Sequence, residues 1–359
     1  MAKVRLAVIG TGGIARYVHI PELLRCAQAE VVAVCDTDEA RVRDVAAEFN
    51  IPKTYASHEE LLAKERLDAV SICTPNNSHA AISLAAIERG LHVCCEKPLG
   101  VSYGETRRMC EAARQRDLTT MVAFSYRFVP SARLLAELID EGALGELYNI
   151  EAVYGQMHLI DPKAPLAWRM QKRIAGSGAL GDLGSHLIDL CRWWAGDVTA
   201  VCARMKTFIV ERPLPGSDRM GKVDVDDTVS CVAEFSSGAV GTLTASRYFT
   251  GRGNYQRVEI TGRQGSVVFR NELSRELEAC LGKHFVETRT HVTMRTSPRH
   301  EVGQMAHFVQ GVAEGRKVKP DFEDGMRAQE VIEAILRSDA ESRRVELPLD
   351  RGRAASARP

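Results

Sequence analysis

The chain has 359 residues, of which 45% are hydrophobic and 26% are charged, and its 47 basic and 47 acidic residues cancel to a formal net charge of zero. This length predicts two domains, and the balanced charge argues against a protein that binds nucleic acid or a membrane surface. No apolar run reaches membrane-spanning length, and a strand pattern directly after Met1 argues against a signal peptide. The 10 cysteines are scattered without a CxxC pair, so we expect reduced thiols and a cytoplasmic protein.

The first third of the chain has the pattern of a doubly wound parallel sheet. Amphipathic helical stretches alternate there with short apolar stretches typical of buried strands, at Val4–Ile9, Val31–Cys35, Asp68–Cys73, Leu91–Cys95 and Leu118–Phe124. Strands that alternate with helices in this way form parallel sheets with helices on both faces. We therefore predict an α/β dinucleotide-binding (Rossmann) domain over residues 1–125.

A glycine-rich turn joins the first predicted strand to the helix after it. The turn reads GTGGIA at residues 10–15, which matches the GxGxxG/A pattern, and Asp36 ends the second predicted strand. Glycines let the backbone approach a pyrophosphate, the helix N-terminus favours negative charge, and a carboxylate can accept hydrogen bonds from ribose hydroxyls. We predict that NAD binds here, through Gly10, Thr11, Gly12, Gly13, Ile14, Asp36 and Thr37.

Asp36 also bears on the choice between NAD and NADP. Its carboxylate would repel the 2′-phosphate of NADP, which favours NAD. Arg41 and Arg43 lie just downstream and could neutralise such a phosphate, so NADP stays possible.

Two further polar segments follow the third and fourth predicted strands, TPNNSH at residues 74–79 and EKP at residues 96–98. Parallel sheets bind ligands at the carboxyl ends of their strands, so we expect both segments at the same edge as the glycine turn. Lys97 lies at the end of a buried strand, which makes it a candidate functional residue.

The remaining residues, 126–349, predict an α+β domain with a large, mostly antiparallel sheet. A helix at Ser131–Glu141 and a strand at Glu146–His158 are followed by period-two strands and then by two closing helices, near Gly303–Glu314 and Asp324–Ser338. One face of such a sheet is free for a second copy, so we expect a homodimer or homotetramer through this sheet. Residues 350–359 are expected to be a disordered tail.

Asp182 and His186 are four residues apart near the start of a predicted helix and therefore share one of its faces. Taken alone, they are better explained as an N-terminal cap and an ordinary helix histidine than as functional groups. The sequence contains no HExxH pattern or His/Cys cluster, so we predict no metal site.

Together these segments resemble the glucose–fructose oxidoreductase/inositol dehydrogenase (Gfo/Idh/MocA) family. The resemblance is carried by GTGGIAR, Asp36, TPNNSH, EKPL and the GALGDLGSHLIDL segment at residues 178–190. It extends over roughly residues 3–345 and implies an NAD(P)-dependent oxidoreductase that acts on CH–OH groups of a small sugar, cyclitol or sugar acid. It also implies a cis peptide bond before Pro98.

The resemblance implies roles for individual residues. Lys97 and His186 would share proton transfer while Asp182 orients, with the primary base left open. Thr74, Pro75, Asn76, His79, Glu96 and Lys97 would join the cofactor-binding residues. The substrate-binding residues would be Lys97, Arg127, Trp168, Arg169, Asp182 and His186.

Two other functions remain possible for such a chain. Some members of this family use NAD transiently, for hydrolysis, epimerisation or elimination without net oxidation. A regulator that senses the dinucleotide could share the fold, but it would not need Lys97, Asp182 and His186 together.

Overall fold

A computed structural model describes residues 3–350. The chain forms two compact units, one of residues up to Ser125 with Val302–Met326, and one of Tyr126–Glu301 with the residues from Arg327 onward. The sequence predicted a single division after residue 125, and the structure adds a segment that returns to the first unit. Apart from Asp350, the predicted tail lies outside the described residues.

Of the described residues, six short strands form the parallel sheet of the first unit, in the order β3-β2-β1-β4-β5-β6. The strands are β1 (Val4–Ile9), β2 (Ala29–Cys35), β3 (Thr54–Tyr55), β4 (Ala69–Ile72), β5 (His92–Cys95) and β6 (Thr120–Val122). Nearly all their side chains are buried because helices cover both faces. The strand order reverses between β1 and β4, and such switch points bind ligands at the carboxyl ends of the strands. The predicted Rossmann sheet is confirmed.

The helices that connect these strands are α1 (Ile20–Arg25), α2 (Glu39–Phe49), α3 (His58–Lys64), α4 (His79–Glu88) and α5 (Tyr103–Gln115). For α3 and α5, the spacing of Ser57 with Glu60 and of Ser102 with Glu105 in the sequence predicts the caps that the structure shows. Ser57 accepts a hydrogen bond from the backbone N–H of Glu60 at 3.3 Å, and Ser102 does the same for Glu105 at 3.3 Å. These bonds satisfy N–H groups that the first helical turn leaves unpaired.

The first connection differs from the single continuous helix that its sequence pattern indicates. A π-helical turn, Ala15–His19, comes before α1. Pro21 lies in the first turn of α1 and has no N–H to donate to the carbonyl four residues earlier, so the regular ladder is interrupted there. This wider turn determines where His19 lies.

Within the part of the chain described, the second unit is built on a nine-stranded sheet in the order β16-β15-β14-β13-β7-β12-β11-β8-β17. Its strands are β7 (Leu147–Gly155), β8 (Val198–Lys206), β11 (Thr228–Phe235), β12 (Val240–Ser246), β13 (Tyr255–Gly262), β14 (Gly265–Arg270), β15 (Glu276–Leu281), β16 (Val292–Arg295) and β17 (Val345–Glu346). A hairpin of β9 (Glu211–Pro213) and β10 (Met220–Lys222) stands apart. Among the strand pairs of this sheet in residues 3–350, only β7 and β12 are parallel, which confirms the mostly antiparallel sheet.

Helices cover one face of this sheet. Before residue 302, the helices described in the unit are α6 (Pro130–Asp140), α7 (Lys172–Ala175), α8 (Ser185–Ala195) and α9 (Lys283–Thr288). Along β11, buried Val229 and Cys231 alternate with exposed Ser230 and Val232, because alternate side chains of a strand point to opposite faces. The buried side chains of β11 pack against α8.

The closing helices are α10 (Gln304–Ala313) and α11 (Phe322–Glu341). Within the first unit, Met305 donates its backbone N–H to Glu22 of α1 at 3.0 Å, and Val122 of β6 donates to the carbonyl of Pro320 at 2.9 Å. These bonds explain why Val302–Met326 belongs to the first unit. None of the helices in residues 3–350 combines the length and apolar character needed to cross a membrane.

Candidate functional site

The glycine turn after β1 packs tightly at one position and is open at another. Gly10 has φ +92°, and a Cβ there would lie 2.6 Å from the carbonyl carbon of Cys73, so only glycine lets the turn pass the end of β4. At Gly12, no atom lies within 4 Å of an added Cβ. The backbone is therefore accessible at Gly12, as the approach of a pyrophosphate requires.

Asp36 anchors this turn from the end of β2. Its Oδ2 accepts hydrogen bonds from Thr11 N at 2.7 Å and Thr11 Oγ1 at 2.9 Å. Its Oδ1 accepts from Asp38 N and from Arg41 Nη2, both at 3.0 Å. Burial alone would raise the pKa of Asp36, but the hydrogen bonds from Arg41, Asp38 and Thr11 outweigh burial and lower it.

The two arginines that could neutralise an NADP phosphate have partners on α2 or before it. Arg41 pairs with Asp36 itself, and Arg43 pairs with Glu39 one helical turn away at 3.1 Å. Thr37, which the sequence assigns to the cofactor, is exposed beside Asp36. Asp36 and Arg41 thus form an ion pair at the end of β2.

His79 joins the segments that follow β4 and β5. The side chain is fully buried, with Nε2 2.9 Å from the carbonyl oxygen of Thr74 and Nδ1 2.9 Å from that of Pro98. The Lys97–Pro98 peptide bond is cis, as the family resemblance implies. His79 therefore holds the two segments together rather than presenting its ring to a ligand.

Glu96 lies buried at the end of β5, directly before Lys97. Its Oε1 accepts a hydrogen bond from His19 Nε2 at 2.9 Å, and its Oε2 accepts from the backbone N–H of Lys97 at 3.1 Å. His19 was not predicted as a site residue, although its position nine residues after Gly10 in the same βαβ unit could have indicated it. The first unit thus brings the predicted cofactor residues to the carboxyl ends of four adjacent strands, β2, β1, β4 and β5.

In the second unit, a π-helical turn, Leu180–Gly184, runs directly into α8 and carries Asp182, while His186 is the second residue of α8. Asp182 is no helix cap. Its Oδ2 accepts a hydrogen bond from Arg247 Nη2 at 3.1 Å, and its Oδ1 lies 4.0 Å from Arg169 Nε. The pairing of Asp182 with two arginines was not predicted, because Arg247 is distant in sequence at the end of β12.

Two tyrosine rings lie beside the ring of His186, and their hydroxyls belong to a network with amide side chains. The Tyr126 ring contacts the imidazole edge-on, with centroids 4.7 Å apart, and the Tyr126 hydroxyl lies 2.6 Å from that of Tyr154. Asn254 Oδ1 accepts from the Tyr154 hydroxyl at 2.8 Å and from Gln156 Nε2 at 2.8 Å. Burial raises the pKa of Tyr154 and keeps its hydroxyl protonated. Such groups can bind a polyhydroxylated molecule.

Two predicted substrate residues have different surroundings. The Arg169 guanidinium lies over the Trp168 ring at 4.3 Å and beside Asp182, so these three belong to one cluster. Arg127 is buried in a bidentate ion pair with Asp189 of α8, with bonds of 2.7 and 2.6 Å. The pair fixes the helix that carries His186, and a role for Arg127 toward substrate stays a prediction.

Residues 3–350 contain no group of three or more His, Cys, Asp or Glu side chains arranged to hold a metal ion. The groups present can donate and accept protons, and they can bind hydroxyls and a dinucleotide.

Family models match both units. An NAD-binding Rossmann-fold oxidoreductase family model covers residues 4–124, and a GFO/IDH/MocA C-terminal domain model covers residues 132–268. Levoglucosan dehydrogenase of Pseudarthrobacter phenanthrenivorans is 35% identical over 88% of this chain and 89% of its own length. The chain belongs to the Gfo/Idh/MocA family. It is an oxidoreductase of the NAD-binding Rossmann type, as the sequence resemblance predicts.

Other members of the family match over nearly their whole length. D-xylose 1-dehydrogenase (NADP(+)) 2 of Haloferax volcanii is 32% identical, over 95% of this chain and 98% of that protein. A structure of levoglucosan dehydrogenase in complex with NADH and L-sorbose is 32% identical and superposes with a TM-score of 0.92, over 96% of this chain and 99% of that one. Similarity at this level confirms the predicted fold class, with a Rossmann-type parallel sheet and a large, mostly antiparallel sheet.

Proposed function

We propose that this Gfo/Idh/MocA member oxidises a CH–OH group of a sugar, cyclitol or sugar acid and uses NAD as the hydride acceptor. The observation that carries the proposal is the network beside His186, where the Tyr126 ring contacts the imidazole and the Tyr126 and Tyr154 hydroxyls bond to each other and to Asn254. A sugar or cyclitol presents several hydroxyls for such groups to bind. Relatives named as levoglucosan and inositol dehydrogenases support this substrate class.

The glycine turn and Asp36 suit an adenosine diphosphate moiety, since Gly12 leaves open space and Asp36 is ionised. When bound, NAD supplies a nicotinamide ring that accepts a hydride. The chain must then remove the hydroxyl proton, and we assign this step to Lys97 and His186. Asp182 is held by Arg247 and can only accept hydrogen bonds while ionised, so its role is to orient a substrate hydroxyl.

We infer a preference for NAD over NADP. Asp36 is kept ionised and would repel a 2′-phosphate, while Arg41 is engaged with that same carboxylate. Because one relative is named for NADP(+), the assay compares both cofactors.

The test is a panel of sugars, anhydrosugars, cyclitols and sugar acids, incubated with NAD or NADP and followed at the absorbance band of the reduced cofactor. We expect NADH to accumulate with at least one member of the panel, at a higher kcat/KM than with NADP. Consumption of a sugar without NADH accumulation would instead support transient redox chemistry. Nucleotide binding without turnover of any sugar would favour a regulator.

We also propose that the protein is cytoplasmic, and the free thiols of all ten cysteines support this proposal.

We further propose that the exposed face of the nine-stranded sheet joins copies of this chain. Val232 and Val240 are both 47% exposed on the face that the helices leave open. Val232→Glu should lower the mass measured by light scattering from that of a dimer or tetramer to that of a monomer. An unchanged mass would argue against this face as the interface.

A further inference from the structure

The proposed reaction makes no use of His19, which is fully buried in the first unit. It ends the π-helical turn Ala15–His19 that follows the glycine turn. Its Nδ1 lies 2.8 Å from Ser71 Oγ in β4, and its Nε2 donates to Glu96 Oε1 at 2.9 Å. One imidazole therefore contacts β4 and the end of β5 from the helical segment that leaves the glycine turn.

The 2.9 Å contact between His19 and Glu96 and the surroundings of both groups favour an ionic pair. Burial alone would lower the pKa of His19, but Cys73 and Glu96 outweigh burial and raise it well above its usual value. Burial alone would raise the pKa of Glu96, but the hydrogen bond from His19 outweighs burial and lowers it. Both directions favour an imidazolium and a carboxylate. The other titratable groups near the pair include Cys73, Cys94, Cys95, Lys97 and His79.

The π-helical turn is what aims His19 at Glu96. A π-turn adds one residue to a helical turn, and each residue of a regular helix rotates the side-chain direction by about 100°. A regular α-helical turn from Ala15 would therefore direct the side chain of residue 19 elsewhere. Such π-turns are frequent at functional sites.

We propose that His19 is a positioning residue for the reaction, because it holds the Glu96 carboxylate that in turn accepts the backbone N–H of Lys97. The inference rests on the proposed function, in which Lys97 takes part in proton transfer. Glu96 without its cation would be an uncompensated negative charge beside Lys97, and such a charge favours the protonated lysine. His19 thus fixes the lysine turn and balances the charge next to it.

A nitrogen NMR experiment tests the charge state without catalysis. The wild-type protein is labelled with ¹⁵N-histidine, and the His19 ring signals are assigned by their loss in His19→Gln. We expect both ring nitrogens of His19 to be protonated at pH 7.5 in the wild type, and we expect only one to be protonated in Glu96→Gln. A neutral His19 in the wild type at that pH would overturn the inference.

Kinetics test the positioning role, with the sugar that proves active with wild-type protein. His19→Gln keeps an N–H donor but loses the charge, and we expect kcat/KM to fall about 10- to 100-fold and the acidic limb of its pH profile to move to higher pH. Glu96→Gln removes the negative charge and should move that limb to lower pH. NADH affinity, measured by fluorescence, should stay within about threefold in His19→Gln.

His92→Gln is the matched control. His92 lies at the opposite end of β5, where it accepts a hydrogen bond from Thr119 N at 2.9 Å, and we expect unchanged kinetics. Equal kcat/KM in His19→Gln and the wild type, or pH limbs that move in the same direction in both variants, would overturn the inference.

If His19→Gln alone does not fold, the variant His19→Gln/Glu96→Gln replaces the ion pair with a neutral amide pair. We expect the double variant to bind NADH and to keep an acidic limb close to that of the wild type, because no uncompensated charge lies beside Lys97, and a limb moved to higher pH would overturn the inference. If the wild-type protein turns over no sugar, the proposed function is contradicted. The NMR experiment does not depend on turnover and still tests the charge state of His19.

Discussion

Arg247 donates a hydrogen bond from Nη2 to Asp182 Oδ2 at 3.1 Å, and its side chain is only 1% exposed. Its Nη1 donates to the carbonyl oxygen of Arg169 at 3.2 Å, while the Arg169 side chain lies beside the other carboxylate oxygen. Asp182 is therefore held in one orientation by a buried cation. This arrangement suits a carboxylate that orients a hydroxyl and leaves proton transfer to another group.

Arg247→Met should destabilise the protein, because the mostly buried Asp182 would lose the hydrogen bond from its nearer cation and keep only the more distant Arg169. Breaking a fully buried pair costs about 3–5 kcal/mol, and we expect about 2–4 kcal/mol here because Asp182 is partly exposed. Denaturant unfolding measures the change. Arg204→Met is the control, since Arg204 is exposed and 3.5 Å from Asp339, and it should cost less than about 1 kcal/mol. Equal losses in the two variants would contradict the assigned role.

Asp36→Ala should weaken binding of both dinucleotides, and NAD more than NADP. The variant removes the acceptor for ribose hydroxyls and also the anchor of the Thr11 backbone, but it relieves repulsion of a 2′-phosphate. We expect a loss of about 10- to 100-fold for NAD in a calorimetric titration. Thr11→Val, which removes only one of the bonds to Asp36, should have a smaller effect. Identical losses for NAD and NADP would remove the ribose role.

Gly10→Ala should impair folding, whereas Gly12→Ala should impair NAD binding. At Gly10 the backbone has positive φ and a Cβ would collide with Cys73, so we expect a lower melting temperature and little folded protein. At Gly12 a Cβ meets no atom within 4 Å, so the protein should fold normally but lose NAD affinity. Gly104→Ala, in an open position of α5, is the control for both measurements. Unchanged NAD affinity in Gly12→Ala would place the pyrophosphate elsewhere.

Local patterns predicted the first unit well. Val4–Ile9 was predicted with the bounds that the structure shows, because a short apolar run between a polar start and a glycine turn has few alternatives. The caps at Ser57 and Ser102 were also predicted, since their hydrogen bonds involve neighbouring residues only. Segments at strand ends could be placed together because a parallel sheet has only one carboxyl edge.

Contacts between distant residues could not be predicted in the same way. His19 and Glu96 are 77 positions apart, and Asp182 and Arg247 are 65 apart, so no local spacing joins them. The edge strand β16 was not predicted, because VTMR is short and its side chains are at most half-buried. The π-helical turn before α1 could not be predicted, because the sequence of its residues also fits an ordinary α-helix.

The pH dependence of stability should reveal the His19–Glu96 pair. Glu96 has a lowered pKa, so its contribution is present above its unfolded pKa of about 4.3 and is lost as pH falls toward the folded value. His19 has a raised pKa, so its contribution is complete below about 6.5 and is lost as pH rises toward the folded value.

We therefore expect the melting temperature of wild type, minus that of His19→Gln/Glu96→Gln, to be greatest between about pH 4.3 and 6.5 and to fall on both sides. Thermal melts from pH 4 to 9 provide the measurement. A difference that stays constant over this range would mean that the pair is not ionic.

Lys97→Ala should reduce kcat by about 10²- to 10⁴-fold, the usual contribution of a group that transfers a proton. Affinity for NADH should stay within a few-fold, because the glycine turn and Asp36 are not altered. Lys64→Ala is the control, since Lys64 is an exposed residue of α3 that pairs with Glu60 at 2.6 Å. Steady-state kinetics with the active sugar and fluorescence titration of NADH give the two readouts.

His186→Ala, measured in the same assay, addresses which residue is the primary base. If Lys97 is that base, Lys97→Ala should lose the pH dependence of the acidic limb, whereas His186→Ala should keep the limb at a lower rate. The reverse pattern would assign the base to His186. A kcat for Lys97→Ala close to that of Lys64→Ala would exclude Lys97 from proton transfer and, with it, the positioning role of Glu96 and His19.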